Sequence, residues 1–254
     1  MKKILLLLTG IALSTQVATA ALNTGLLAYY KLDDNGLDSF SSNNLTNNGS
    51  TPFASGVINN AADFGLANTT KSFSTSTQFG LAVTADRTLA CWVKLQSAQY
   101  YNATNNTLFS MGYTNLEYDV TVNATNTVMF GTFRPGTGNN EVTVPLVMGT
   151  SSWYYFAITN VGTAGTAYSN GAQVGTWTTV TAGTAGGTGY ALGKLMYSTD
   201  LWFGSAIVDE CGVWNRALSA TEIAQLYNNG TGLNYPLTLP SVKSSGFFRF
   251  FKRR

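Results

Sequence analysis

The sequence of 254 residues contains no histidine, and only 10% of its residues are charged. Nucleophilic catalysis of the Ser-His-Asp or Cys-His kind needs an imidazole that accepts and returns a proton. Most catalytic zinc sites also use histidine ligands. The composition therefore excludes both kinds of chemistry, whereas a calcium site, which needs only oxygen ligands, stays open.

Cysteine is almost as scarce, with Cys91 and Cys211 as the two thiols of the chain. A chain of this length can bury a substantial core without covalent staples, so two cysteines do not make it a small disulfide scaffold. Strand alternation points both side chains inward. Two alternatives stay open: one disulfide between Cys91 and Cys211, or two buried free thiols.

Long hydrophobic runs are limited to the amino terminus. Lys2 and Lys3 precede the apolar run Ile4 to Leu8, and the segment closes on Ala18-Thr19-Ala20. A positively charged start, an apolar stretch and small residues at an A-x-A site are typical of a secretory signal peptide. We therefore expect residues 1–20 to be a signal peptide and the protein to be secreted or extracytoplasmic, associated with the cell envelope.

Basic residues are sparse in the body of the chain and concentrated at its end. Ala21 to Pro240 carries seven basic and twelve acidic residues, a net charge of −5, which predicts no nucleic-acid partner. Residues 237–254 form a basic tail that also contains four phenylalanines. Two interpretations of this tail stay open: peripheral contact with an anionic membrane, or a solubilising terminus.

What the chain does contain is a series of short apolar runs separated by Thr, Asn, Gly and Ser, which is typical of strands joined by turns. In Thr88 to Leu95, the residues Leu89, Cys91, Val93 and Leu95 alternate with the others and share one face. Asn170-Gly171 predicts a two-residue hairpin turn. Further strands are predicted at 25–32, 107–111, 118–122, 127–133, 141–146, 153–159, 166–169, 172–178, 190–193 and 206–214.

One helix is predicted near the carboxyl end. Ser219 and Glu222 have the spacing of a capping box, Ile223 and Leu226 supply an apolar stripe, and Gly230 ends the segment. The pattern as a whole predicts an all-β sandwich with one short C-terminal helix.

The segment Val208-Asp209-Glu210-Cys211-Gly212-Val213-Trp214-Asn215-Arg216-Ala217-Leu218-Ser219 resembles the closing strand of the laminin G-like, concanavalin A-like jelly-roll family. Supporting pieces follow in the family's order: Leu27 to Asp33, Asn60 to Phe64, Cys91 to Lys94, Trp153 to Ala157 and Tyr168 to Gly171. The resemblance implies a two-sheet antiparallel sandwich over residues 21–236, with its first and last strands adjacent. Such folds occur in carbohydrate-binding, adhesive and enzymatic proteins.

The implied adjacency of the first and last strands brings several carboxylates together. Asp33 or Asp34 with Asp209 could hold a structural calcium ion, completed by backbone carbonyls. The alternative is that Asp209 and its neighbour Glu210 satisfy buried backbone amides or pair with Arg216. No D-x-D-x-D-G loop decides between the two.

The functional prediction is a non-enzymatic module that binds a glycan or an extracellular protein. Glu117-Tyr118-Asp119 begins the E-x-D-x-x-E pattern of laminarinase-type enzymes, but Val122 stands where the second glutamate is needed. A structural or adhesive domain is the alternative, and a glycoside hydrolase or lyase is a weaker one. Aromatic residues in polar surroundings are the predicted ligand platform, against the alternative of plain packing: Tyr100, Tyr101, Trp177, Trp202 and Phe203.

Overall fold

The computed structural model describes residues 22–238, except 67, 69, 97–104, 114–115, 124, 126, 134–139, 179–186 and 197–203. Fifteen strands lie in these ranges. They are β1 Leu26–Tyr30, β2 Thr46–Asn48, β3 Phe53–Ser55, β4 Asn60–Asp63, β5 Ser72–Thr75, β6 Arg87–Leu95, β7 Asn105–Tyr113, β8 Leu116–Asn123, β9 Thr127–Phe133, β10 Asn140–Val147, β11 Trp153–Val161, β12 Ala164–Ser169, β13 Ala172–Thr178, β14 Gly187–Leu192 and β15 Ala206–Trp214.

The strands form two antiparallel sheets. The eight-stranded sheet has the order β13-β12-β11-β6-β15-β4-β3, and β1 also pairs with β15. The seven-stranded sheet has the order β10-β9-β8-β7-β14-β5-β2. The predicted two-sheet antiparallel jelly roll is therefore confirmed, and the first strand lies beside the last, as the family resemblance implies.

The main core lies between the two sheets. Alternate residues of β6 point into it, among them Leu89, Cys91 and Val93, and all three are fully buried. β8 supplies Tyr118 and Val120 from the facing sheet. The alternation of apolar residues seen in the sequence therefore marks the side of each strand that faces the opposite sheet.

A second apolar cluster covers the outer side of the eight-stranded sheet. Helix α1, Ala220–Tyr227, places Ile223 and Leu226 against this side, where Trp92 and Trp214 are also buried. Ser219 and Glu222 form the predicted capping box, with hydrogen bonds in both directions. The molecule therefore has three layers: the seven-stranded sheet, the eight-stranded sheet, and a layer made of α1 and its flanking segments.

The hairpin between β12 and β13 turns at Asn170 and Gly171, whose φ angles are +50° and +80°. Positive φ at both central residues is the geometry of a type I′ turn, so the predicted hairpin is confirmed. A different irregularity occurs in β15, where the register with β6 shifts between Asp209 and Gly212. Glu210 lies in this bulge with φ of +46°, a backbone conformation that few residues other than glycine adopt.

Candidate functional site

The connection between β1 and β2 is organised around one buried carboxylate. Asp38 is 8% exposed and accepts hydrogen bonds from the backbone amides of Tyr29 (3.0 Å), Phe40 (2.9 Å) and Asn43 (3.2 Å) and from the Ser41 hydroxyl. Burial alone would raise the pKa of Asp38, but these hydrogen bonds outweigh it and hold the pKa below its usual value. The connection is therefore a fixed structure with an ionised carboxylate at its centre.

This frame holds two large apolar side chains in solvent. Leu37 is 57% exposed and Phe40 is 41% exposed. The Phe40 ring meets the edge of the Tyr235 ring at a centroid distance of 6.1 Å, and Tyr235 in turn lies 5.9 Å from Tyr29. We call Leu37, Phe40 and Tyr235 the aromatic loop site.

Polar groups surround these side chains. Ser41, Ser42 and Asn44 are exposed, and the side chain of Asn35 donates to the carbonyl of Asp33 while it accepts from the amide of Leu37. An exposed ring beside hydroxyl and amide groups can pack against the apolar face of a sugar and hydrogen-bond to its hydroxyls. Because the backbone is fixed by Asp38, a ligand would bind without the cost of ordering this loop.

The aromatic residues singled out in the sequence do not meet in the described structure. Tyr100, Tyr101, Trp202 and Phe203 lie outside the described residues, so their predicted role stays a prediction. Trp177 is 8% exposed and belongs to the core between the sheets. Its placement favours the packing alternative for this residue.

Glu117 and Asp119 lie on the side of β8 that faces away from the core, because Tyr118 and Val120 point inward. Both carboxylates are nevertheless buried, at 0% and 1% exposure. Glu117 accepts from the backbone amide of Met196, and Asp119 accepts from the Thr121 hydroxyl at 2.7 Å. Both carboxylates therefore accept hydrogen bonds from donors of the chain itself.

The predicted metal ligands lie at the seam between β1 and β4, two strands that pair with the same edge of β15. Asp209 accepts from the amides of Val57 (2.8 Å) and Ile58 (3.1 Å). Asp33 accepts from the amide of Asn60, and Asp34 accepts from the Asn60 side chain. These contacts favour the alternative in which carboxylates satisfy backbone and side-chain donors.

Two carboxylates of this seam are strongly perturbed. Burial, the largest cause, together with the negative charge of Asp33 raises the pKa of Asp209 to about 7 and that of Glu210 to about 9. Neither Glu210 oxygen accepts a hydrogen bond within the described chain. Arg216, the predicted partner of these acids, instead pairs with Glu222 at 2.7 Å.

The carboxylate oxygens of this seam are poorly arranged to coordinate a metal ion. In the part of the chain that the structure describes, no three His, Cys, Asp or Glu side chains converge as a metal site requires. The Asp33, Asp34 and Asp209 carboxylates already accept hydrogen bonds from amide groups. Calcium binding by these residues therefore stays a prediction without a geometric signature.

The structure joins Cys91 on β6 to Cys211 on β15, with their Cα atoms 4.2 Å apart. The two strands are neighbours, and Cys211 belongs to the bulge opposite Cys91. Both residues are fully buried. Strand adjacency, which the sequence did not supply, is thus what brings the two thiols together.

Sequence reasoning missed the aromatic loop site. Its local signal is Asp38-Ser39-Phe40-Ser41, in which an Asp accepts from the amide two residues on and from a following hydroxyl, as in an Asx-turn. Tyr235 lies almost two hundred residues away, so its contact with Phe40 has no sequence signal.

A family model described as the concanavalin A-like lectin/glucanases superfamily matches residues 67–224. This match spans more than half of the chain, which therefore belongs to that superfamily, in its laminin G-like branch. No curated protein matches the sequence. Among the described helices, none is long and apolar enough to cross a membrane.

Solved structures with the same fold share little sequence with the chain. The binding domain of Paraclostridial Mosquitocidal Protein 1 is 13% identical (TM-score 0.64), and the match covers 82% of this chain and 53% of that one. Domain 4 of AbnA, an extracellular arabinanase from Geobacillus stearothermophilus, solved with arabinotriose, is 19% identical (TM-score 0.59; 78% and 96% covered). The binding domain of botulinum neurotoxin DC, solved with SialylT, is 11% identical (TM-score 0.59; 82% and 52% covered). These likenesses show the fold.

Proposed function

We propose that the protein is a glycan-binding module and that its binding site includes the aromatic loop site. The observation that carries the proposal is Phe40, which is 41% exposed although its loop is fixed by Asp38 and its ring packs on Tyr235. A single exposed hydrophobic residue is normal on a protein surface, but Phe40 lies near the exposed Leu37 in the chain and packs on the half-buried Tyr235. Apolar side chains grouped in this way on a fixed loop are typical of an interaction site.

The structural neighbours support the choice of a glycan over other ligands. The arabinanase domain was solved with arabinotriose and the neurotoxin domain with SialylT. Both share the sandwich, although not the residues, of this chain. A purely structural or adhesive domain is the second candidate, and it would bind no glycan.

The proposed module is non-enzymatic. Glycoside hydrolysis needs two carboxyl groups on either side of the scissile bond. Glu117 and Asp119 are buried and accept hydrogen bonds from Met196 and Thr121, so neither is available to a substrate. Among the residues described, Asp38 is the carboxylate at the centre of the loop that carries Leu37 and Phe40, and it accepts hydrogen bonds from four donors.

The test is a glycan array with the intact protein, followed by calorimetry on every glycan that binds. Replacing Phe40→Ala should weaken binding at least tenfold, because the ring supplies the main apolar contact. Val161→Ala removes an apolar side chain that is 60% exposed at a distant hairpin, and should leave binding unchanged.

Two results would contradict the proposal. Binding to no glycan at all would favour the adhesive alternative, and equal binding by the wild type and Phe40→Ala would move the site elsewhere. Hydrolysis of any bound oligosaccharide would contradict the non-enzymatic part alone.

The partners and location are proposed from the sequence. The amino-terminal 20 residues and residues 239–254 of the basic tail lie outside the described residues, so export and membrane contact rest on their composition. An exported module would encounter extracellular glycans and surface proteins.

Structural calcium is the remaining proposal, with Asp33, Asp34 and Asp209 as its candidate ligands. Its test is the melting temperature at a fixed calcium level, with and without chelator. Stabilisation by calcium that disappears in Asp209→Asn would support a site there. An unchanged melting temperature would leave these carboxylates as hydrogen-bond acceptors.

A further inference from the structure

The charges around the aromatic loop site are mostly negative. The segment from Leu22 to Leu66 contains four aspartates and a single basic residue, Lys31. Asp38 lies inside the frame of the loop, and Asp34, which is exposed, precedes Leu37 by three residues. The described surroundings of the site are therefore acidic.

The acidic groups are close enough to act on a bound ligand. Three residues span at most about 11 Å of extended chain, which limits the distance between the Cα atoms of Asp34 and Leu37. The Debye length is about 10 Å at 0.1 M salt, so the charge of Asp34 is only partly screened at the site. Asp33, one residue earlier, adds a second negative charge.

These carboxylates are held in place and stay near the site. The Asn60 side chain donates to both oxygens of Asp34, at 2.9 and 3.1 Å. Asp33 accepts from the Asn60 amide at 3.1 Å and from the Asn59 side chain at 3.1 Å. Neutral amide donors hold the carboxylates without cancelling their charge.

We propose that the aromatic loop site binds neutral glycans and discriminates against acidic ones, such as sialylated or uronic acid sugars. This inference rests on the proposed function, and it runs against the sialylated ligand that the neurotoxin neighbour's name suggests. A carboxylate on the sugar would approach Asp33 and Asp34, and Lys31 is the single basic residue of the segment from Leu22 to Leu66. Repulsion by two charges at about 10 Å in water corresponds to a weakening on the order of fourfold at low salt.

The experiment measures the binding of the intact protein to matched oligosaccharides. Arabinotriose, cellotriose and lactose are the neutral probes, and sialyllactose and trigalacturonic acid are the acidic ones. At about 20 mM salt, we expect sialyllactose, which has one carboxylate, to bind roughly fourfold more weakly than lactose, and trigalacturonic acid, which has several, to bind more weakly still. The gap should shrink at about 500 mM salt because screening removes the repulsion.

Asp34→Asn is the matched variant. Asp34 has a φ of +63°, which asparagine also tolerates, and the substitution removes one charge with little change of shape. It should narrow the gap between lactose and sialyllactose, and Asp34→Lys should narrow it further. Val161→Ala should not alter the gap.

The outcomes separate this inference from the proposed function. If Phe40→Ala abolishes binding but acidic and neutral probes bind equally well to the wild type, glycan binding stands and the charge preference falls. The charge preference also falls if Asp34→Asn and Asp34→Lys leave an existing gap unchanged. If no probe binds, both proposals fall together.

Discussion

Glu210 is the residue whose chemistry departs furthest from its ordinary behaviour. It is 2% exposed, lies beside Asp209 and Asp33, and has its pKa raised to about 9, first by burial and then by these neighbours. An acid with a raised pKa keeps its proton in the folded state at a pH where the unfolded chain has released it. The folded protein therefore carries a neutral carboxylic acid next to the Cys91–Cys211 disulfide.

The sign of the resulting pH dependence follows from this proton. Above about pH 4.5, the unfolded chain has lost it and the folded state retains it, so rising pH lowers the free energy of unfolding. The loss amounts to at most about 1.4 kcal/mol per pH unit per group. It ends near pH 7 for Asp209 and near pH 9 for Glu210.

Between pH 7 and pH 9, Glu210 should therefore dominate the pH dependence of stability. We expect Glu210→Gln to flatten the fall in unfolding free energy across this interval and to be more stable than the wild type at pH 9 by about 1 kcal/mol or more. The measurement is urea denaturation at pH 7, 8 and 9. Asp34→Asn removes an exposed carboxylate and should keep the wild-type slope. Parallel slopes for wild type and Glu210→Gln would show that Glu210 is ionised in the folded state.

At the scale of elements, the long strands could be predicted and the short ones could not. Alternation locates β6 and β15 to within a residue, because each has one side against the opposite sheet. β2 (Thr-Asn-Asn) and β3 (Phe-Ala-Ser) have three residues each, and no alternation can show in so short a segment. β2 pairs with β5, which is distant in the sequence, whereas β3 pairs with β4 across the turn at residues 56–59.

The candidate site also has one part that the sequence could predict and one part that it could not. The hydrogen bonds around Asp38 involve residues close to it in the sequence, so an Asx-turn could have been predicted there. The packing of Phe40 on Tyr235 depends on the segment after α1 lying beside β1, a consequence of the whole topology. The bulge at Glu210 likewise has no signal in the sequence, because it is a mismatch of register between β15 and β6.

The disulfide links two central elements of one sheet, β6 and β15. It connects residues separated by 120 positions, so in the unfolded state it closes a long loop and restricts the chain. We expect the double variant Cys91→Ala/Cys211→Ala to lose about 2–4 kcal/mol of unfolding free energy, measured with urea.

Each single alanine variant also breaks the bridge and should lose a similar amount, because the remaining thiol is buried and inert. The contacts of both side chains with the core give the substitutions a packing cost of their own. Comparing the wild type with and without reductant in denaturant isolates the covalent part. A double variant within about 0.5 kcal/mol of the wild type would show that the bridge contributes little to stability.

For the whole molecule, the three layers determine which surfaces face a partner. The outer side of the eight-stranded sheet is closed by α1 and its apolar cluster. Residues 233–238 run through this same layer, with Leu233 and Leu237 buried and Tyr235 against Phe40. The tail, residues 237–254, begins two residues after Tyr235, whose ring packs against Phe40 of the aromatic loop site.

A tail held at a membrane would therefore keep the aromatic loop site close to that surface. The tail ends in Phe247-Phe248-Arg249-Phe250-Phe251-Lys252-Arg253-Arg254. Each basic residue near an anionic surface contributes about 1 kcal/mol, and the aromatic rings favour the interfacial zone. The eight residues 247–254 would rise only about 12 Å as a helix, which is too short to span the hydrocarbon.

We expect the full-length protein to bind vesicles that contain anionic lipid, and this binding to weaken as salt is raised from about 50 to about 500 mM. A chain ending at Pro240 should lose the binding and keep its melting temperature, because Leu237, the last buried residue described, is retained. Replacing the four phenylalanines of the tail by serine separates the two contributions, since it leaves every charge in place and removes the interfacial rings. Equal vesicle binding by the full-length and truncated proteins would show that the tail does not contribute to membrane contact. Any binding that both proteins share would then come from the folded domain.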